Sequence, residues 1–472
     1  MDPKQLCFLT VRELSERIRQ KEISPVEVTQ AYLDRVKAVD PQIRAYVTLT
    51  EEEARREAKE AEQAILAGGY RGPFHGVPIA HKDLFCTRGI RTTGGSGIFR
   101  DYVPSYDAGV VERMREAGAI SLGKVNTHEF GLGATTQNPH TGCTRNPWDP
   151  ERIPGGSSGG SGAAVAAGLC AAATGNDGGG SIRIPSSLCG IVGLKPTFGR
   201  VSNYGGFPWV GLWSVCHSGP MVHSVEDAAL MLQALAGYDP RDPASRDIPV
   251  PDYTAGLNGG VKGLRLGIPR DYFYERLAPE VAEAAKAALQ VLEGLGASLE
   301  EVSLPHIRYA YPALLAILSE ASCAQDRLLR THSLQELGPG VRTLAVLGFF
   351  VSTAVYLKAQ QVRRLLLQEL QEVFQKVDAL VTPTLPLAAV KAGQATVTLG
   401  GVEEEFLDAI IRLTLPFNLT GSPALTVPCG FTASGLPIGL QVVGRAFEEA
   451  KVLRIGRAYE AATPWHERRP AI

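Results

Sequence analysis

Two glycine-rich stretches each set a serine among unshielded backbone N–H groups. The first is Pro154-Gly155-Gly156-Ser157-Ser158-Gly159-Gly160-Ser161-Gly162, and the second is Asp177-Gly178-Gly179-Gly180-Ser181-Ile182-Arg183. Glycine is entropically costly and marks places where backbone takes unusual angles or approaches another group closely. A serine in such a setting offers a hydroxyl nucleophile beside donors for an oxyanion. With Ser181 as nucleophile, the N–H groups of Gly178, Gly179, Gly180 and Ser181 surround the developing charge. Losing one donor from such a hole costs about 2.7–4 kcal/mol of transition-state stabilisation. Ser157, which can donate and accept a hydrogen bond at once, suits a proton relay. Lys82, in Ile79-Ala80-His81-Lys82-Asp83, has apolar neighbours; burial among them would lower its pKa and make it a base. Each residue also has an ordinary reading: Ser181 in a solvated turn, Ser157 as the N-cap of a following helix, Lys82 as a surface lysine paired with Asp83.

Other motifs lack the context they need. Gly155-Gly156-Ser157-Ser158-Gly159 fits a nucleophile elbow, but a strand must precede one, and Pro147, Pro150 and Pro154 interrupt the approach. The candidate histidine for such a triad, His466, reads as part of an exposed tail. Ser121-Leu122-Gly123-Lys124 fits S-x-x-K, without a K-T-G and with Ser121 inside a predicted strand. No Gly-Lys-Ser/Thr ends either loop, so phosphate binding is not indicated. His128-Glu129 has no second histidine at metal-ligand spacing; neither metal nor cofactor is implied.

The elements that must hold these residues follow from hydrophobic spacing and caps. The first 66 residues read as helical: Val11–Gln20, a segment opened by Ser24-Pro25 with Glu27 behind it, and an exposed helix over Glu51–Leu66. Strands are expected at Val77–His81, Ala119–Gly123 and Leu169–Thr174. Helices are expected at Ala108–Ala117, at Ser158–Gly168, whose small residues imply close packing, and at Val225–Ala236. A mostly helical region over 279–377 breaks the alternation and supplies a wall of the substrate pocket. Strands resume at Asp378–Thr382, Ala424–Pro428 and Ile438–Val443, with a helix at Glu448–Ala462. The alternation predicts an α/β fold with a sheet between helical layers, in one domain over 1–472 whose catalytic core spans 67–240.

Composition bounds the class. The chain has 472 residues, 44% hydrophobic and 20% charged, with a formal net charge of -2, enough for a large core and without the basic excess of a nucleic-acid binder. Eight cysteines without a C-x-x-C pair read as reduced, buried thiols of a cytoplasmic protein. The N-terminus does not read as a signal peptide. No stretch of about 18 apolar residues suggests a membrane span, and the apolar run Val341–Val355 reads as core or pocket lining.

Taken together, the two serine loops, Gly76-Val77-Pro78-Ile79-Ala80-His81-Lys82-Asp83 and Cys189-Gly190-Ile191-Val192-Gly193-Leu194-Lys195-Pro196-Thr197 closely resemble the amidase signature family. Arg145-Asn146-Pro147-Trp148, Gly219-Pro220-Met221 and Pro416-Phe417-Asn418-Leu419-Thr420-Gly421-Ser422-Pro423-Ala424 extend the resemblance over most of the chain. It implies a single α/β domain with a large mixed sheet. It also implies a Ser–cis-Ser–Lys triad: Ser181 the nucleophile, Ser157 the bridging serine after a cis bond to Gly156, and Lys82 the base. The implied activity is hydrolysis of a small-molecule amide, with esters, anilides and carbamates open to the same acyl chemistry. A homodimer is expected from the resemblance only, and neither nucleic acid nor membrane is expected as a partner. By the resemblance, pocket walls come from Phe130, Leu132 and Thr136 and from the segment 309–356. An aromatic patch of Phe207, Trp209, Leu212 and Trp213, with Phe349 or Phe350, reads either as an apolar pocket or as core. Asp177 and Arg183 are expected to hold the loop.

Within the family, Asn126–Pro154 and the tail also resemble the glutaminase subunit of glutamyl-tRNA amidotransferase, which releases ammonia from glutamine. Two positions depart from it. Ile184 stands where that subunit usually has glutamine, and Ile411 where it usually has the aspartate that grips the glutamine amino group. An apolar residue cannot hold an ammonium group, so the two departures favour a stand-alone amidase with apolar or aryl substrates.

Overall fold

The computed structural model describes residues 2–207 and 211–472. Trp209 therefore lies outside the described residues. The chain builds an 11-stranded mixed sheet from β1 (Tyr46–Leu49), β2 (Pro78–Lys82), β3 (Ile120–Val125), β4 (Ala172–Asp177), β5 (Val192–Lys195), β6 (His217–Val222), β7 (Arg265–Pro269), β8 (Ser298–Val302), β9 (Ala379–Pro383), β10 (Ala424–Phe431) and β11 (Pro437–Val443). The spatial order is β1-β3-β2-β4-β6-β5-β10-β11-β9-β7-β8. Helices cover both faces, which explains why β2, β5, β6, β9 and β11 are buried throughout and show no hydrophobic-in, polar-out alternation.

Strand β2 pairs parallel with β3 on one side and β4 on the other, with His81 abreast of Thr174. Parallel neighbours end on the same edge, so Lys82, the last residue of β2, emerges beside the loop that follows β4. That loop is Gly178–Ser181, and the helix Arg183–Cys189 follows it. Sites of open α/β sheets lie at such carboxyl ends. Strand β6 flanks β4 on its other side and runs antiparallel to it.

Local sequence accounts for the helices. Ser24 caps Pro25–Ile43 through a capping box with Glu27, and Thr10 caps Val11–Arg19 with Glu13. The helix Gly159–Ala166 is buried along its whole length; only small residues let it approach the sheet this closely. Ser161 Oγ donates to Thr174 O at 2.9 Å and pins it to β4. Gly160 meets the backbone of Asn126, donating to its carbonyl at 3.1 Å.

Several expectations need correction. The strand placed at Leu169–Thr174 begins at Ala172 and runs to Asp177. The N-terminal 66 residues hold β1, which pairs antiparallel with β3, and the helix Glu51–Leu66 buries Ala54, Ala58, Ala61 and Ile65 rather than standing fully exposed. The region 279–377 is helical apart from β8, whose Ser-Leu-Glu-Glu-Val sequence forms an edge strand parallel to β7. No helix among the described residues is long and apolar enough to cross a membrane, although the bent pair Pro339–Phe350 and Thr353–Lys376 passes by composition. Of the eight free cysteines, Cys323 is exposed and Cys143 half-buried.

A methyl group on Gly160 would lie 2.3 Å from Asn126 N and 2.4 Å from Asn126 O. Gly160→Ala is expected to lose about 1–3 kcal/mol or more of stability, read as a lowered thermal midpoint by circular dichroism.

Candidate active site

Lys82 is fully buried. Its Nζ donates to Ser157 Oγ at 2.8 Å and to Asn176 O at 3.3 Å. Asp83 is not its partner: that carboxylate accepts from Thr93 N and from Thr93 Oγ1. Burial lowers Lys82 from 10.5 to about 7, with Cys216 and Asp177 pulling it back up more weakly. Its neutral form is therefore populated at ordinary pH, as a base requires.

Ser157 follows a cis peptide bond from Gly156. Thr136 holds this turn: its Oγ1 donates to Gly155 O at 2.8 Å and to Ser157 O at 3.2 Å, and accepts from Gly159 N at 3.1 Å. His128 N adds a bond to Ser157 O at 3.1 Å. Ser158 joins the two serine loops, its N–H donating to Ser181 O at 3.3 Å and its hydroxyl to Asn176 O at 3.2 Å.

The nucleophile loop is fastened by the ion pair of Asp177 and Arg183, both without solvent exposure. Arg183 has five N–H donors, and five bonds are present. Nε and Nη2 reach the two oxygens of Asp177 at 3.0 Å each, Nη1 reaches Thr414 O at 2.8 Å and Gln441 Oε1 at 2.7 Å, and Nη2 also reaches Asn418 Oδ1 at 2.6 Å. Burial pushes Asp177 up, but the charge and hydrogen bonds of Arg183 outweigh it and hold the carboxyl well below its ordinary range. Asp177 in turn accepts from Gly180 N at 2.7 Å and Ile182 N at 3.1 Å. Gly180 stands at φ 134°, and a methyl group there would lie 2.3 Å from Thr414 Oγ1, so this turn requires glycine.

The oxyanion assignment changes accordingly. The Gly180 N–H is spent on Asp177 and is not a free donor. The N–H groups of Gly178, Gly179 and Ser181 carry no hydrogen bond among the described residues, and these three residues line the cavity while Gly180 does not. Thr414 Oγ1 donates to Gly179 O at 2.7 Å and fixes the peptide that follows it.

Ser181 is 9% exposed and opens onto a cavity of about 660 Å³. Leu132 lines it, whereas Phe130 and Thr136 do not. Phe130 is fully buried behind the wall, stacked on Phe207 at 6.0 Å between ring centres; Thr136 serves the Ser157 turn. Leu212 lines the cavity, Phe207 is core, and Trp213, Phe349 and Phe350 are exposed at 62%, 53% and 80%. The apolar walls come instead from Ile184, Leu314, Leu318, Leu344, Phe406 and Ile411. Residues that sequence reasoning missed include His128, which lines the cavity, and Asn418 and Gln441, the distant partners of Arg183. Asn418 does lie in a stretch that carries the family resemblance, which was its only signal. His466 is half-buried, far from being a bare tail.

A buried lysine bonded to Ser157, whose neighbour Ser158 is tied to a second serine loop with N–H groups free among the described residues, has the parts of a serine acyl hydrolase. The amidase family pattern matches residues 27–453. A glutamyl-tRNA(Gln) amidotransferase subunit of Moorella thermoacetica is 45% identical, over 99% of this chain and 99% of its own. Among solved structures, one from a vestigial protein complex said to reveal the evolutionary origins of an s-triazine catabolic enzyme superposes with TM-score 0.92 at 35% identity, covering 96% of this chain and 98% of that one. A bacterial aryl acylamidase of the amidase signature family superposes with TM-score 0.90 at 28% identity, covering 98% of each chain. The chain belongs to the amidase family, hydrolases of C–N amide bonds.

Two outcomes test this geometry. Arg183→Met strands the Asp177 carboxylate in the core and is expected to cost about 3–5 kcal/mol, measured by chemical denaturation. With Lys82 charged below and neutral above about 7, kcat/KM should rise about tenfold per pH unit below that value and level off above it; a profile from pH 5.5 to 9 that is flat at its acid end contradicts Lys82 as base.

Proposed function

We propose that this chain hydrolyses small amides with an apolar or aryl acyl group, through an acyl-enzyme on Ser181. Neutral Lys82 takes the proton of Ser157 as Ser157 takes that of Ser181, whose oxygen attacks the amide carbonyl. Free N–H groups of the Gly178–Ser181 loop receive the oxyanion. The proton returns through Ser157 to the leaving nitrogen, which departs as ammonia or an amine, and water resolves the ester by the same relay. The observation that carries the acyl preference is the pair Ile184 and Ile411 on the cavity wall.

A second reading is a glutaminase subunit of a tRNA amidotransferase. The whole-chain comparisons favour it: the Moorella subunit is more similar, at 45% identity, than the stand-alone acylamidase at 28%. The cavity argues the other way. Free glutamine is a zwitterion, and among the described residues lining the cavity there is no lysine or arginine for its carboxylate. Ile411 supplies nothing for its ammonium at that position, although Glu405 and Asp408 line the same cavity; it is the carboxylate that has no counter-charge, and burying it unpaired is costly.

Hydrolysis of phenylacetamide, a short aliphatic amide, a nitroanilide and glutamine by the wild type and Ser181→Ala separates the readings. Turnover of the apolar amides, lost in the variant together with the acyl-enzyme mass, is the expected result. Turnover of glutamine alone, or only once partner subunits are added, overturns it in favour of the second.

A further inference from the structure

Charge is distributed one-sidedly around the cavity that holds Ser181. Its described lining contains three carboxylates, Glu129, Glu405 and Asp408, and no lysine or arginine. The histidine on its wall adds no positive charge: burial first, and then the neighbouring charge of Lys82, lower His128 to about 4. His128 Nδ1 lies 3.4 Å from Thr135 Oγ1, while Nε2 has no hydrogen-bond partner among the described residues. Lys82 sits behind Ser157 and is neutral in its working form.

The carboxylates are not equivalent. Glu129 is 1% exposed and committed to Ser96 Oγ at 2.7 Å, Gly338 N at 2.8 Å and His140 Nε2 at 3.2 Å. Glu405 and Asp408 are exposed, and Asp408 is oriented by the hydroxyl of Tyr311. Asp408 and Ile411 stand three apart on the helix Phe406–Ile411, which places them on one face, about 5–6 Å between Cβ atoms. The Ile411 end is tied to the nucleophile loop, because Thr414 Oγ1 donates to both Ile411 O at 3.1 Å and Gly179 O at 2.7 Å. Moving outward from the reacting carbonyl, a substrate therefore meets an apolar wall first and a carboxylate about one helical turn later.

We propose that the cavity selects amides whose acyl group is apolar beside the carbonyl and cationic at its far end, with Asp408 and Glu405 receiving the charge, and that it turns carboxylate-bearing amides away. The proposal rests on the amidase reading above. A substrate ammonium gains from Asp408 and Glu405 together, and an anion meets the same two charges with no lysine or arginine on the described lining to offset them. The carboxylates at the wide end are open to solvent, so the selection is moderate and salt-dependent.

Three phenylacetamides test it: 4-trimethylammonio, its neutral isostere 4-tert-butyl, and 4-carboxylate. Their kcat/KM values are compared in about 20 mM and about 500 mM salt, for the wild type and the D408N/E405Q double variant. The expected order is cation, then neutral, then anion, with the cation about threefold or more above the neutral amide and about tenfold or more above the anion at low salt. Both ratios should shrink toward one in high salt and in the double variant. Equal turnover of all three, or a preference for the carboxylate, overturns the inference while leaving the amidase reading standing. A cation preference undiminished in the double variant overturns the placement on Asp408 and Glu405. Turnover of none of the three, with glutamine hydrolysed, overturns the reading beneath and the inference together.

Discussion

The active loop depends on one buried ion pair. Without Arg183, the carboxylate of Asp177 would be an unpaired charge in the core, a state that costs several kcal/mol. With it, Asp177 can spend its remaining acceptor capacity on Gly180 and Ile182 and so bend the glycine loop. That bend frees some N–H groups and occupies another. The Ser181 carbonyl accepts from Ser158, but its hydroxyl takes no part in holding the loop among the described residues and is left available to attack.

A second constraint acts on Lys82. A lysine serves as a base at neutral pH only if burial makes its charge expensive, and burial at the end of an interior strand does this. The same burial would strand its amine without partners, and Ser157 Oγ with Asn176 O supply them. The small-residue helix after Ser157 brings that serine within reach. Packing and catalysis therefore meet in residues 155–162: a methyl group on Gly156 or Gly159 would strike the Thr136 segment, and one on Gly160 would strike Asn126.

Much of this was legible from residues alone. The strand that leads to Lys82, the helix after Ser157 and the cap at Ser24 all follow from local patterns. The long loops carried the family resemblance because every residue in them has a geometric duty. What escaped had non-local causes. Strands β5 and β6 are short and fully buried, so they show no alternation. β8 carries adjacent charges, Glu300 and Glu301, on opposite faces, as an edge strand can. The Gly180 N–H could not be struck from the donor set without seeing the Asp177 carboxylate turn back on it. Phe130 and Leu132 lie two residues apart in sequence but on opposite sides of a wall, because Phe130 takes a left-handed backbone conformation (φ 51°) that no periodicity reveals. The segment 309–356, expected as a wall, supplies Leu314, Leu318 and Leu344; which of its residues reach the cavity is set only by tertiary packing.

The partners of Arg183 also bear on when activity begins. Thr414, Asn418 and Gln441 lie 231, 235 and 258 residues beyond it. Contacts this distant carry a large loop-closure cost and form late. A ribosome-bound chain whose first 250 residues have already emerged holds Lys82, Ser157 and Ser181 but not the three groups that complete the arginine's bonding. Its nucleophile loop stays unset until the last strands arrive. Until residues 414–441 are made, the arginine that sets this loop lacks three of its five side-chain bonds.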